Sequence, residues 1–525
     1  MPDKQNSILK GSFLAAILNA LVAIFIRGIT FILNAYILRK VSGEVLGLIN
    51  VRLLLIVDTI LFLSREAFRK ACLKAPENGD WRGTINLVWC SVPIGMILSP
   101  LLAFASISYL ESPSNQDLNA QYEQAVYLVC LSAVIELCIE PFFVLGQIAM
   151  WVKFRSAVDM ATHSFRAIIL ALSVAFLPSM VVLLYGFGHL LSSILQLIAY
   201  FVRVKSHLNE KDRSLKELKS IWDFLPTLKD THLDPERLLL AQSFLGQGFL
   251  KQILTEGEKY VFTLFSLMTL EQQGIYDVIA NLGSLAPRLI FSKIEEAAYL
   301  YFNQSVTRGN PVDPKVSKNL AYILRAMTLI GALVLTFGLS YSHLLLRIYG
   351  GQNLSDGLGP DLLKGHCVFV FLMAINGVSE CFSFSVMTTR EVDKYNFWMT
   401  FMTALFLALS WGLSKTFGPI GFIMANGCNF LMRITHNIWV IHKNQEAETE
   451  INSLKGFIIP FQVLAILITS GFICHISEVY LYFAADNVIL HLGIGAILFF
   501  LSMFIILINE PVIVTYFRSK IKKDV

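Results

Sequence analysis

Residues 84–110 read TINLVWCSVPIGMILSPLLAFASISYL, a run without a single Asp, Glu, Lys or Arg. As a helix rising about 1.5 Å per residue it extends roughly 40 Å, more than the roughly 30 Å of hydrocarbon in a bilayer. A surface helix of that length in a soluble protein carries a charged face. This one carries none, so lipid or other apolar helices surround it. The signature recurs along the chain. Charged residues make up 15% of the 525 and hydrophobic ones 55%, with a mean hydropathy of +0.61. A soluble domain carries about 25% charged residues, so the deficit belongs to most of the chain and not to one anchor.

Hydropathy predicts about fourteen spans. They lie at 13–38, 45–63, 84–110, 124–150, 156–177, 179–203, 244–268, 274–303, 319–341, 361–387, 395–414, 418–441, 457–481 and 487–510. Lys4 and Lys10 precede an apolar run that continues for a full span, so this segment reads as a span and not as a cleaved leader. The expected fold is therefore an all-α polytopic membrane protein. Its organisation reads as a six-helix lobe over 1–205, a cytosolic amphipathic linker over 206–240, a second six-helix lobe over 241–443, and two further helices with a basic tail over 444–525. The linker, with Lys211, Arg213, Lys216, Lys219, Lys229 and Arg237, is expected to lie on the membrane surface.

The net charge is only +4, but its distribution is lopsided. Arg69, Lys70, Lys74, Arg82, Lys153, Arg155, the linker, Arg308, Lys315, Lys318, Arg390, Lys394, Lys443 and Lys455 fall on one set of connections. The other set holds Arg39, Lys40, Arg347, Lys364 and Lys415. The positive-inside rule puts the first set, and both termini, in the cytosol. Short echoes relate the two lobes. Glu140-Pro141-Phe142-Phe143 matches Glu380-Cys381-Phe382-Ser383, Lys153-Phe154 matches Lys394-Tyr395, Gly186-Phe187 matches Gly421-Phe422, and Gly47-Leu48-Ile49-Asn50-Val51 matches Gly274-Ile275-Tyr276-Asp277-Val278. In-order matches at similar offsets read as parallel repeats about an axis along the membrane normal.

Ionisable groups inside spans are costly and face a partner or a cavity. Lys251, Glu256, Glu258 and Lys259 crowd one segment and are expected chiefly to pair within it. Arg27, Arg65, Arg288 and Arg433 are spread over both lobes with fewer acids nearby, and are expected to line a water-filled cationic cavity. A guanidinium fork matches two phosphate oxygens, so the expected ligand is an anion, with these arginines as its contacts and Lys251 and Glu256 as further candidates. His163, His343, His366 and His436 are isolated, and the 8 cysteines form no ligand-spaced cluster. With no phosphate-binding glycine loop and no nucleophile elbow, no metal, cofactor, nucleic-acid partner or catalytic residue is expected, and the chain reads as a non-enzyme.

Several longer stretches resemble one family. They include Asn50-Val51-Arg52-Leu53-Leu54, Phe62-Leu63-Ser64-Arg65-Glu66-Ala67-Phe68-Arg69-Lys70-Ala71-Cys72 and Leu250-Lys251-Gln252-Ile253-Leu254-Thr255-Glu256-Gly257-Glu258-Lys259-Tyr260-Val261. Asn281-Leu282-Gly283-Ser284-Leu285, Ala374-Ile375-Asn376-Gly377-Val378, Glu391-Val392-Asp393-Lys394-Tyr395-Asn396-Phe397 and Arg433-Ile434-Thr435 add to them. The chain resembles, over its whole length, the eukaryotic oligosaccharide-translocation (Rft) family of the multidrug/oligosaccharidyl-lipid/polysaccharide exporter superfamily. The resemblance implies a fold of two lobes and residence in the endoplasmic-reticulum membrane. It also implies a part in N-glycan precursor assembly: moving a dolichol-diphosphate heptasaccharide, Man5GlcNAc2-PP-dolichol, from the cytosolic to the lumenal leaflet. A protein that only binds or scaffolds that lipid for lumenal glycosyltransferases is the alternative, with membrane lipid and the glycosylation machinery as further partners. A membrane-embedded glycosyltransferase is disfavoured, because no large lumenal loop carries paired carboxylates.

Two addresses complete the reading. Asn353-Leu354-Ser355 is a candidate glycan acceptor on the expected lumenal side, whereas Asn303-Gln304-Ser305 falls on the cytosolic side. Lys522 and Lys523, fourth and third from the last residue, have the spacing of a dilysine retrieval signal.

Overall fold

A computed structural model describes residues 28, 31–72, 81–209, 218, 220–226, 233–445 and 453–510. Among these there is no strand; the one β-bridge pairs Val312 with Gln445. Ten helices are long and apolar enough to cross a membrane: Gly43–Ala71, Trp81–Ser108, Gln116–Ile148, Val152–Phe176, Pro178–Leu208, Pro314–Gly350, Gly359–Val386, Arg390–Phe417, Ser453–Ala484 and Val488–Asn509. The opening run thus becomes one span made of two helical segments, Trp81–Trp89 and Ser91–Ser108, that meet at Cys90, with Pro100 inside the second. Pro178 separates the expected fifth and sixth spans: the helix ends at Phe176 and resumes in a 3-10 turn at Pro178, because proline has no N–H to continue the ladder. Further helices at Pro235–Leu264, Leu270–Gly283, Ser292–Ser305 and Ile420–Asn444 coincide with the remaining expected spans from the seventh onward.

The chain forms two compact units, Met1–Gly274 and Ile275–Val525. The Pro235–Leu264 helix, expected to open the second lobe, packs on Leu54–Ala71 and belongs to the first unit. Its start is set locally, by Pro235 at the first helical position and by Asp234, whose carboxylate accepts the Arg237 N–H at 3.2 Å. Within the expected linker the described residues include the end of the Val181–Leu208 helix, a 3-10 turn at Ile221–Phe224 and the start of the Pro235–Leu264 helix. Phe224 anchors the turn. It is fully buried, stacks on Phe142 at 5.9 Å between centroids, and its carbonyl accepts the Trp89 indole N–H at 2.9 Å. Burying one aromatic ring contributes roughly 1.5–3 kcal/mol, enough to hold this turn inside the first unit.

The core of the first unit gathers Phe68, Trp81, Phe142, Phe143, Trp151, Tyr200 and Phe224. In the second unit Phe291, Phe302, Leu320, Leu324, Met327, Phe382 and Tyr395 do the same. A smaller cluster seats the last two helices: Val463, Leu467 and Ile506 pack on Leu329, Ala332 and Leu333 of Pro314–Gly350.

Candidate functional site

Two ladders of charge face each other inside the first unit. Arg65 and Arg69 stand four residues apart on Leu54–Ala71, and Glu136 and Glu140 four apart across a break at Cys138 and Ile139. Four-residue spacing aligns each pair on one face. Arg69 grips Glu140 with both arms of its fork, Nε to Oε2 at 2.5 Å and Nη2 to Oε1 at 2.6 Å. Arg65 Nη1 reaches Glu136 Oε1 at 2.7 Å and Glu140 Oε1 at 3.4 Å. From Val152–Phe176, Arg166 lies 3.7 Å from Glu136 and donates through Nε to Ser192 Oγ at 2.5 Å. Glu140 is 2% exposed, while Arg65, Arg69 and Arg166 each retain about a fifth of their side-chain surface. Three guanidiniums against two carboxylates leave the group one positive charge in excess.

A second group extends it. Asp58 lies within electrostatic reach of Arg65, Glu256 and Lys259. Lys259 pairs with Glu256 at 3.0 Å, and the Thr59 hydroxyl meets Tyr260 Oη at 2.7 Å. Lys251 does not join Glu256; it approaches Glu66 on the facing helix at 3.7 Å, and Lys70 holds the same carboxylate at 3.3 Å. The crowding of Lys251, Glu256 and Lys259 therefore resolves into one pair within the segment and one between helices.

The second unit has a simpler counterpart. Arg433 Nη2 donates to Glu380 Oε1 at 2.5 Å, and Asn376 Nδ2 to Glu380 Oε2 at 2.8 Å. Asn437, fully buried, donates to Asn376 Oδ1 and to Ser379 Oγ, both at 3.2 Å. Glu140 and Glu380, matched in the sequence repeat, are thus each the anchor of an arginine in their own unit. The Glu295 side chain fills the space that a Cβ on Gly377 would take.

Arg65 and Arg433, expected to line a cationic cavity, are each paired with a carboxylate on a facing helix and keep about a quarter of their side-chain surface exposed. A lone guanidinium among helices is costly, and carboxylates on facing helices neutralise it. Those carboxylates lie 71, 75 and 53 residues away in sequence, too far for local acids to reveal. Arg288 differs. It is exposed and donates to the carbonyls of Asn281 at 2.7 Å and Ser284 at 3.3 Å, with no carboxylate partner among the described residues. Arg27, Lys522 and Lys523 lie outside the described residues. Asn353 is exposed in the short helix Gln352–Ser355, beside the buried Leu354 and Ser355. Sequence reasoning missed Arg69 and Arg166 as part of the network; the four-residue step from Arg65 was the available signal for Arg69. Among the described residues no group of His, Cys, Asp and Glu is arranged to hold a metal.

Long apolar helices with paired charges inside each unit define a polytopic membrane protein, and its fold is shared with two solved transporters. It superposes on the lipid II flippase MurJ in an inward closed conformation with a TM-score of 0.60 at 13% identity, covering 94% of this chain and 99% of that one. It superposes on an inward-facing MATE multidrug transporter of the MOP superfamily with a TM-score of 0.53 at 12% identity, covering 80% and 96%. The chain belongs to the Rft protein family, whose model matches residues 11–520. It is 37% identical over 95% of both chains to the Man(5)GlcNAc(2)-PP-dolichol translocation protein RFT1 of Xenopus tropicalis. Identity to the Mus musculus protein of the same name is 36%, over 96% of this chain and 95% of that one. The Saccharomyces cerevisiae protein is 26% identical over 83% of each.

Proposed function

We propose that this protein moves Man5GlcNAc2-PP-dolichol from the cytosolic to the lumenal leaflet of the endoplasmic-reticulum membrane, with both termini in the cytosol. The observation that carries the reading is identity of more than a third, over nearly the whole chain, to proteins named for that translocation. The site chemistry agrees with it. A diphosphate is an anion, and Arg65, Arg69 and Arg166 present partly exposed guanidiniums that can donate to it. A phosphate oxygen that replaces Glu136 on Arg65 exchanges one charge-assisted bond for another, and Glu136 keeps Arg166. Arg288 and Arg433 are the corresponding contacts in the second unit, with Lys251, Glu256 and Arg27 completing the set. The glycolipid chemistry calls on residues that bind and release an anion and on no residue that makes or breaks a bond.

Reconstitution tests it. Liposomes carrying the labelled glycolipid on both leaflets are exposed to an external mannosidase. Translocation makes the whole pool cleavable, whereas protein-free vesicles protect the inner half. Binding of the glycolipid without loss of that protection would instead make the protein a scaffold that holds the lipid for lumenal glycosyltransferases.

A further inference from the structure

The Glu391–Phe397 stretch is not absorbed by the arginine network, yet it walls the largest of the cavities described, about 690 Å³, within the second unit. The volume lies inside the roughly 300–1,000 Å³ range of small-ligand pockets. Helices Thr389–Phe417 and Ile420–Asn444 enclose it, at the ends that the charge distribution places on the cytosolic side. Its floor is Tyr395, buried, with His436 stacked on the ring at 4.3 Å and an interplanar angle of 23°. Trp398 and Trp439 stand over it, one from each helix and each more than half exposed.

The charges are balanced. Lys443 Nζ binds Glu391 Oε1 at 2.5 Å, and Glu391 also caps its helix at the Thr388 N–H, 2.9 Å away. Asp393 and Lys394 add one charge of each sign at the rim. A phosphate gains little from a neutral rim. A polyhydroxyl ring gains a great deal: its hydroxyls donate to carboxylates and accept from lysines, and its C–H faces, weakly positive, rest on the negative faces of indole rings. The tryptophans of a membrane-interface belt face lipid; these two line one cavity together with the Glu391–Lys443 pair, whose ammonium lies 5.4 Å from the Trp439 ring centroid. The Tyr395 hydroxyl lies beside Arg433 and Glu380, so the cavity floor adjoins the ion pair assigned above to the diphosphate.

We infer that this cavity is a subsite for the neutral oligosaccharide of the glycolipid, stacking hexose rings on Trp398 and Trp439 while the diphosphate lies at Arg433. The inference rests on the transport reading and adds to it the part of the ligand that gives sugar specificity.

The test is binding to the full chain in lipid nanodiscs, with two probes: dolichyl diphosphate bearing the heptasaccharide, and dolichyl diphosphate without sugar. The double variant Trp398→Ala/Trp439→Ala should weaken the glycosylated probe about tenfold and leave the bare one unchanged, because aromatic stacking is lost and the ion pair is not. Trp398→Phe/Trp439→Phe should restore most of the affinity, which separates stacking from misfolding. Unchanged affinity of the alanine variant for the glycosylated probe overturns the subsite and leaves the transport reading standing. Equal weakening of both probes overturns it too, since the aromatics then serve packing. If the unaltered chain does not prefer the glycosylated probe, the subsite falls, while the transport reading is decided separately by the mannosidase-protection assay.

Discussion

Glu140 and its two arginines show how a charge becomes tolerable among apolar helices. The carboxylate is 2% exposed and accepts both arms of the Arg69 fork, with Arg65 as a third donor. Removing one member of a buried pair leaves the other desolvated, at about 3–5 kcal/mol. Arg69→Ala is accordingly expected to destabilise the protein by roughly that amount, read as a lowered melting temperature in detergent. Arg65→Ala should behave differently. Glu140 keeps its Arg69 fork and Glu136 keeps Arg166, so the fold should survive while glycolipid handling falls. Arg65→Ala protein that melts like Arg69→Ala would make Arg65 a packing residue. At this scale the sequence was half legible. It marked Arg65, Glu140, Glu380 and Arg433 as charges that needed an explanation, and the Glu140–Glu380 echo was visible. The pairings were not, because they depend on which helices face one another and local spacing does not carry that.

Among elements, one close approach in the first unit is backbone to backbone. A Cβ on Gly47 would overlap the Leu270 carbonyl, and one on Gly274 would overlap the Gly43 carbonyl. Small residues let helices approach where lipid provides no hydrophobic force between them, and here the two glycines were matched in the sequence repeat. Gly47→Ala is expected to cost about 1–3 kcal/mol through overpacking, measured by thermal denaturation; an unchanged melting temperature would show that the contact relaxes freely. Ten spans among the described residues were legible from hydropathy, which is a local property, and Pro178 marked a real break; most of the expected first span, 13–38, lies outside the described residues. The anchoring of the linker by Phe224 was not, since an isolated aromatic in a basic segment reads equally well as a membrane-surface contact. The assignment of Pro235–Leu264 to the first unit escaped for the same reason: hydropathy finds a helix but not its neighbours.

For the whole molecule, orientation decides whether the chemistry faces the right leaflets. The charge bias puts 303 in the cytosol and 353 in the lumen, so Asn303→Gln should leave electrophoretic mobility and glycosidase sensitivity unchanged; a glycan lost from Asn303 would invert the topology. The dilysine spacing of Lys522 and Lys523 is the proposed compartment signal. A reporter ending in this tail should leak to later compartments when Lys522 and Lys523 become Ser, and equal retention of both versions would assign retention to the spans or their partners. The central claim is that the protein itself carries the diphosphate across on its arginines. It is tested most directly by the rate at which externally added mannosidase gains access to inner-leaflet glycolipid in proteoliposomes, compared between the unaltered chain and Arg65→Ala at equal reconstitution. The account predicts full access with the unaltered chain and slowed access with Arg65→Ala. An inner half as protected as in protein-free vesicles, or equal rates for both proteins, would contradict it.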